Sequence, residues 1–322
     1  MKVLIVGAGA TGAVLGYFAR EAGAEVTFLV KEKYEKKMRE GVRLHKHRSF
    51  RSEPSTILFK EYEVRSNISD LQGKPFDSIL CTVASHSLIE GDWIKNLVSA
   101  LPGVTFVSFQ PGIEDRKIVL ERSGIPPENL LEASIPFLSY LAPMPGETHL
   151  SPGYAFWTPP ISRGFFNGEA GRAQKVVSLL REGGYPAKYL PKYKEKQLGL
   201  ETLLNILVIG LEKADWSFDK LFNSDKLYLV SKATEEAFPL VFQKRTGELP
   251  ESSFFRDVLF KGITIRSAIR LLEWMAPFDL EQYFQVHFTK IDTQRKNEFE
   301  SILRLKPRES LGTSLTLLRS KS

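Results

Sequence analysis

Val3-Leu4-Ile5-Val6-Gly7-Ala8-Gly9-Ala10-Thr11-Gly12 is the stretch whose reading decides the fold of this chain. Four apolar residues read as a buried strand, and glycines follow in the spacing Gly-x-Gly-x-x-Gly. The first glycine permits a tight turn, the second lets a pyrophosphate approach the backbone, and the third lets the next helix pack closely. The N-terminus of that helix then holds the phosphate charge, because its first amides have no partner within the helix. An amphipathic helix is expected over 13–22, with Gly16 as a packing glycine and Gly23 as its stop. Glu25-Val26-Thr27-Phe28-Leu29-Val30 reads as a second strand, which completes a strand–helix–strand unit. The pattern predicts a dinucleotide site with contacts from Gly7, Gly9, Ala10, Thr11 and Gly12.

The end of the second strand selects the dinucleotide. An acidic residue there accepts a ribose 2′-hydroxyl, whereas a 2′-phosphate calls for a cation. Lys31 stands at that position, followed by Glu32 and Lys33, with Lys36 and Lys37 one turn further. Lys31 is expected to meet the phosphate and Lys36 and Lys37 to form a solvated helix face, so the expected cofactor is NADP.

Working outward, a helix is expected at 32–40, short strands or an excursion loop at 42–63, and a turn at 70–75. A strand at 76–83, a helix at 88–101 and a strand at 104–109 follow. This alternation predicts an α/β fold built on a Rossmann-type, doubly wound parallel sheet. Segments 130–138 and 154–158 are expected to extend that sheet on its far side. From about Lys192 helical patterns take over, at 193–216, 225–246, 252–276 and 279–303. The chain therefore divides into a dinucleotide-binding domain, 1–190, and a mostly helical domain, 191–322, for substrate binding or for dimerisation as a homodimer. Trp216 and Trp274 read as core, and the tail after Lys306 as frayed.

The 322 residues, 43% hydrophobic and 25% charged, have the composition of an ordinary soluble globular protein. A net charge of +6 and a pI near 9.2 suit a phosphate-bearing ligand. The basic residues are dispersed and not interleaved with aromatics, so nucleic acid is not an expected partner. Cys81, the single cysteine, rules out an internal disulfide framework and reads as a buried, inert thiol in a reducing cytoplasm. No signal peptide is expected, because the first strand begins at residue 2. The longest apolar run, 203–211, is interrupted by Asn205 and Gly210 and is too short for a bilayer. No cluster has metal-ligand spacing, so no metal is expected.

The arrangement resembles the ketopantoate reductase (2-dehydropantoate 2-reductase) family. The resemblance lies in residues 2–30, in Leu80-Cys81-Thr82-Val83-Ala84-Ser85-His86 and in Phe109-Gln110-Pro111-Gly112-Ile113-Glu114. It continues in 198–205 and in Asp279-Leu280-Glu281-Gln282-Tyr283 through His287-Phe288-Thr289-Lys290. It implies NADPH-dependent reduction of a 2-oxo acid in a cleft between a Rossmann domain and a helical domain. It also adds Thr82, Gln110 and Gly112 to the cofactor contacts. In the family, a lysine that protonates the developing alkoxide precedes a substrate-binding asparagine by four residues. Here those positions hold Glu201 and Asn205. The family's Asn-Gly pair reads Pro111-Gly112, its lysine after the third strand reads Ala84, and its substrate-binding glutamate has Asp279 or Glu281 as counterpart.

Carbonyl reduction needs a proton donor near the oxygen and a cation for the substrate carboxylate. Glu201, among Leu200, Leu203 and Leu204, is either a carboxyl kept protonated by apolar surroundings or an ionised partner of Lys196 or another cation. His287 and Lys290 share a helix face and are either donor and carboxylate holder, or a structural and a solvated group. Asn205 either faces substrate or bonds a neighbouring loop. Arg266 and Arg270 read as ion-pairing residues. The expected function is hydride transfer from NADPH to a small 2-oxo acid, with Glu201, Asn205, His287 and Lys290 as catalytic candidates. The alternative is an NADP-binding sensor or interaction module without turnover, favoured by the missing lysine at 201.

Overall fold

The computed structural model describes residues 1–50, 52–110, 112–305, 314, 315 and 318, which divide into two compact units, Met1–Pro191 and Lys192–Ser322. Pro111 and most of the tail after residue 305 lie outside the described residues.

The first unit begins as the glycine pattern requires: β1 (Lys2–Val6), α1 (Ala10–Glu21), β2 (Glu25–Leu29) and α2 (Glu32–Arg39). β1 is buried from Val3 to Val6, and these side chains alternate between two cores. Val3 and Ile5 join one cluster, and Leu4 and Val6 join the other. Burying each such side chain contributes about 2 kcal/mol, which makes this strand the anchor of the sheet. Helix α1 approaches β2 closely because Gly16 leaves room for the Phe28 ring, which would lie 2.5 Å from a Cβ at that position.

Next come β3 (Val42–Lys46), β4 (Ser55–Phe59), β5 (Glu63–Arg65), β6 (Ser78–Cys81), α3 (Trp93–Ala100), β7 (Thr105–Ser108) and α4 (Asp115–Ser123). They are followed by β8 (Leu130–Ala133), β9 (Leu138–Ala142), β10 (Gly153–Trp157), β11 (Gly164–Asn167), α5 (Ala170–Glu182) and β12 (Ala187–Tyr189). Eight strands form the main sheet in the order β12-β11-β8-β7-β6-β1-β2-β5. β5, β2, β1, β6, β7 and β8 are parallel, and β11 pairs antiparallel with β8. The chain leaves β1 for β2 on one side and later returns to β6 on the other. The carboxyl end of β1 is therefore a topological switch point, where open α/β sheets bind ligands.

Segment 154–158 does not extend this sheet. β10 instead belongs to a second, four-stranded sheet, β4-β3-β10-β9, in which β10 runs parallel to β3 and antiparallel to β9. The weakly alternating stretch after residue 42 supplies its other half. Leu44, Phe59 and Phe156 of this small sheet share one cluster with Val14 and Phe18 of α1 and Val176 of α5. Ile94 and Leu97 of α3 and Val119 of α4 cover the opposite face of the main sheet.

The second unit is helical: α6 (Glu195–Lys213), α7 (Phe218–Phe222), α8 (Lys226–Thr246), α9 (Gly262–Met275), α10 (Leu280–Lys290) and α11 (Asp292–Leu303). Gly210 of α6 lets α8 approach, since a Cβ there would lie 2.2 Å from Val230 Cγ2. The helix expected over 252–276 is divided. One turn of π-helix, Phe255–Leu259, precedes α9, with the Phe260 amide donating to the Phe255 carbonyl at 2.8 Å. The wider turn brings Phe255 and Phe260 to the same side, and both rings pack on Phe238. The helix expected over 279–303 breaks at Ile291, beyond which Asp292 pairs with Arg295 and with Lys296. Trp274, expected in the core, is 68% exposed on α9.

Candidate functional site

The loop between β1 and α1 is shaped by close approaches that exclude side chains. Gly7 adopts φ +97°, which favours glycine. A Cβ on Gly12 would lie 2.0 Å from the Gly7 carbonyl oxygen, so the helix start sits directly on the turn. Gly9, the N-cap of α1, has nothing within 4 Å of the corresponding position. No side chain caps this helix and no acidic residue lies in its first turn. The amides of Ala10 and Thr11 therefore belong to an open helix N-terminus with its positive dipole end available to an anion. The cradle fits a dinucleotide pyrophosphate.

Two side chains hold this loop from outside. The Thr82 hydroxyl, just past β6, points to the Val6 and Gly7 carbonyl oxygens at 3.0 and 3.2 Å. Thr82, expected to touch the cofactor, thus supports the glycine turn through its hydroxyl. The Tyr154 hydroxyl, from the small sheet, donates to the Ala8 carbonyl at 2.9 Å. Burial pushes the Tyr154 phenol up, so it remains a donor at neutral pH. No local pattern pointed to Tyr154, because its partner lies 146 residues away.

The neighbouring loops are tied in the same manner. Gln110 is buried; its amide donates to the Cys81 and Val83 carbonyls at 3.1 and 2.7 Å and accepts from the Ser108 hydroxyl. It fastens the end of β7 to the end of β6. The Gly112 amide donates to Asp115 Oδ2 at 2.7 Å, and the Ser85 hydroxyl donates to the same oxygen at 2.7 Å. Sequence reasoning did not single out Asp115, although an acidic residue in the first turn of α4 is a favourable position. Cys81 is fully buried and its thiol is pushed up to about 12, the inert state expected of it.

Lys31 stands at the end of β2 as the N-cap of α2, with its side chain 72% exposed. Its ammonium lies 3.8 Å from Glu90, which follows the turn Ser85–Ile89. An exposed pair of this kind is weak and leaves the ammonium available to a phosphate.

The helical unit holds the other candidates. Glu201 and Asn205 lie one turn apart on α6 and are both half-buried. Glu201 accepts a hydrogen bond from Gln197 Nε2 at 3.3 Å. Leu200 and Leu204 are exposed, so they do not enclose the Glu201 carboxyl in an apolar pocket. Among the described residues, the Asn205 side chain makes no hydrogen bond. His287 stacks on Tyr283 with ring centroids 5.3 Å apart, and burial, with the charge of Lys290, pushes its imidazole down to about 4. It is neutral at pH 7, a state poorly suited to general-acid catalysis. Lys290 is exposed at the end of α10. Asp279 and Glu281 are both engaged as helix caps: Asp279 accepts from the Gln282 amide at 2.9 Å, and Glu281 accepts from the Phe218 amide. Arg270 pairs with Asp219 and Glu273, while Arg266 lies over the Phe222 ring. Among the described residues, no group of three or more His, Cys, Asp or Glu could hold a metal ion, and no helix is long and apolar enough to cross a membrane.

The ketopantoate reductase PanE/ApbA family model matches residues 3–159. Over residues 3–159 the chain is similar to the ketopantoate reductase domain. No curated protein matches the chain. Among solved structures, 2-dehydropantoate 2-reductase from Geobacter metallireducens GS-15 superposes with a TM-score of 0.68 at 14% identity, covering 99% of this chain and 97% of that one. The enzyme of the same name from Methylococcus capsulatus gives 0.67 at 16% identity, covering 99% and 94%. D-mandelate dehydrogenase in complex with NADH and anilino(oxo)acetate gives 0.66 at 16% identity, covering 99% and 96%. At these identities the structures show a shared fold over both units. The match to the ketopantoate reductase domain includes the glycine loop, Lys31, Thr82, Gln110 and Gly112. It ends before α6, so Glu201, Asn205, His287 and Lys290 lie outside it.

Proposed function

We propose that this chain is an NADPH-dependent oxidoreductase that reduces a small 2-oxo acid. The observation that carries the reading is the open N-terminus of α1 behind Gly9, with a lysine at the end of β2. The amides of Ala10 and Thr11 hold the pyrophosphate, and Lys31 meets the 2′-phosphate. When bound, the dinucleotide supplies the hydride. On the helical unit, the Asn205 amide hydrogen-bonds the substrate, and the exposed Lys290 ammonium attracts its carboxylate. Glu201 stands where the family has its proton-donating lysine and serves as donor only in its protonated form, while His287 is held neutral. Residues 1–190 act as the cofactor domain and 191–322 as the substrate domain, in a cytoplasmic protein. Following NADPH oxidation by absorbance across a panel of 2-oxo acids tests this directly; silence on every member overturns it.

A second reading is an NADP-binding protein without turnover. It is favoured by Glu201, which carries no positive charge to stabilise a developing alkoxide. Tight NADPH binding by calorimetry, without oxidation by any carbonyl compound, is the result that selects it. Glu201→Lys then distinguishes a lost donor from a lost site: ketopantoate reduction gained by this variant means that the rest of the scaffold is intact.

A further inference from the structure

Three loops leave the carboxyl edge of the main sheet side by side, after β1, β6 and β7, and side-chain hydrogen bonds join them in series. Thr82 ties the loop after β6 to the glycine turn, and Gln110 ties the end of β7 to Cys81 and Val83. Beyond Gln110 the link passes to Asp115. Asp115 is 4% exposed, and its carboxylate accepts hydrogen bonds from the Ser85 hydroxyl on the β6 side and from the Gly112 amide on the β7 side, both at 2.7 Å. Gly112 leaves the room this requires, since a Cβ there would lie 2.5 Å from Asp115 Oδ2. Burying a carboxylate is costly unless it is well hydrogen-bonded, so the two loops and the carboxylate hold one arrangement together. Ala84, beside Ser85, offers no side chain that could perform this service.

We infer that Asp115 is a positioning residue for the nicotinamide half of the dinucleotide, acting through Ser85 and Gly112. The inference rests on the cofactor reading proposed above. In a doubly wound sheet each half binds one mononucleotide. The β1–β2–β5 half, with the glycine loop and Lys31, takes the adenosine end, whereas β6 and β7 serve the other end. The hydrogen bonds from Ser85 and Gly112 tie Asp115 to loops of the second half. Its removal therefore loosens the nicotinamide end and leaves the adenosine end in place.

The test compares NADPH with the fragment 2′,5′-ADP by calorimetry on the full-length protein and on Ser85→Ala, Asp115→Ala and Asp115→Asn. Asp115→Ala is expected to weaken NADPH about tenfold and 2′,5′-ADP less than about twofold. Ser85→Ala, which removes one donor and keeps the fold, is expected to weaken NADPH about threefold with the same selectivity. Asp115→Asn keeps one acceptor and is expected to fall between wild type and Asp115→Ala. Equal losses for both ligands in Ser85→Ala, or no loss in any variant, overturn the inference while the cofactor reading stands. A wild-type protein that binds neither ligand removes the cofactor reading and this inference with it.

Discussion

The glycine loop of the first unit and the Glu201–Asn205 turn of the second are built on different principles. Around the loop, the groups left open are backbone amides, and close packing fixes them: Gly12 on the Gly7 carbonyl, Thr82 beneath the turn, Tyr154 on Ala8. On α6 the helix is only a carrier, and the chemistry depends on which side chains project from it. Exchanging lysine and glutamate at a position such as 201 costs a helix little, because both residues are good helix formers. A backbone site persists while its glycines persist, whereas a side-chain site can change its chemistry through one substitution. The family model matches residues 3–159, which include the loop and end before α6.

The comparison can be broken at its strongest point first. Gly12→Ala places a methyl 2.0 Å from a backbone oxygen that has no room to move. It is expected to weaken NADPH binding by more than about a hundredfold, read by fluorescence titration, and to lower the melting temperature. Retained affinity would mean that the loop is not the binding element.

The two units also respond to acid through different histidines. His47, behind the small sheet, is 6% exposed, shares a hydrogen bond with the Tyr140 hydroxyl and faces the charges of His45 and His149. Its imidazole is pushed down to about 4, chiefly by burial, and that of His287 in the helical unit is held as low. The unfolded chain, titrating near 6.5, then binds more protons than the folded chain between pH 6.5 and 4. The stabilisation is complete above pH 6.5 and is lost as pH falls through that window. For His47 the loss is on the order of 3 kcal/mol, measurable as a falling urea midpoint. His47→Gln is expected to flatten that slope, and an unchanged slope would refute the assignment.

Smaller effects sharpen the comparison. Lys31→Glu is expected to weaken NADPH about tenfold while leaving NADH nearly unaffected, since only the 2′-phosphate meets the reversed charge. Calorimetry with both dinucleotides reads this directly, and equal losses would disconnect Lys31 from the phosphate. Asn205→Ala is expected to lower kcat/KM about fivefold on any 2-oxo acid turned over, with the NADPH dissociation constant unchanged. A parallel loss of NADPH affinity would give Asn205 a different role.

Much of the first unit is legible in its residues because its signals are local. Val3 to Val30 contains the strand, turn, helix and second strand in order, with Gly16 marking the helix face that meets Phe28. The helical character after Lys192 is equally plain, yet the breaks at Phe255–Leu259 and Ile291 are not, because they arise from where Phe255, Phe260 and Asp292 find partners. Trp274 was misplaced for a related reason: helical spacing identifies an apolar face without saying whether anything packs on it.

The sequence by itself determined the parallel sheet, the glycine loop and the lysine at the end of β2, since turn chemistry and hydrophobic period are properties of neighbouring residues. Only the tertiary structure decided that β10 joins β3 in a second sheet, that Tyr154 holds the glycine loop and that Asp115 joins two others. It also placed Asp279 and Glu281 at helix caps. The physical reason is that a hydrogen bond or a close approach has two ends, and these join residues whose separation along the chain leaves no trace in the local pattern of either.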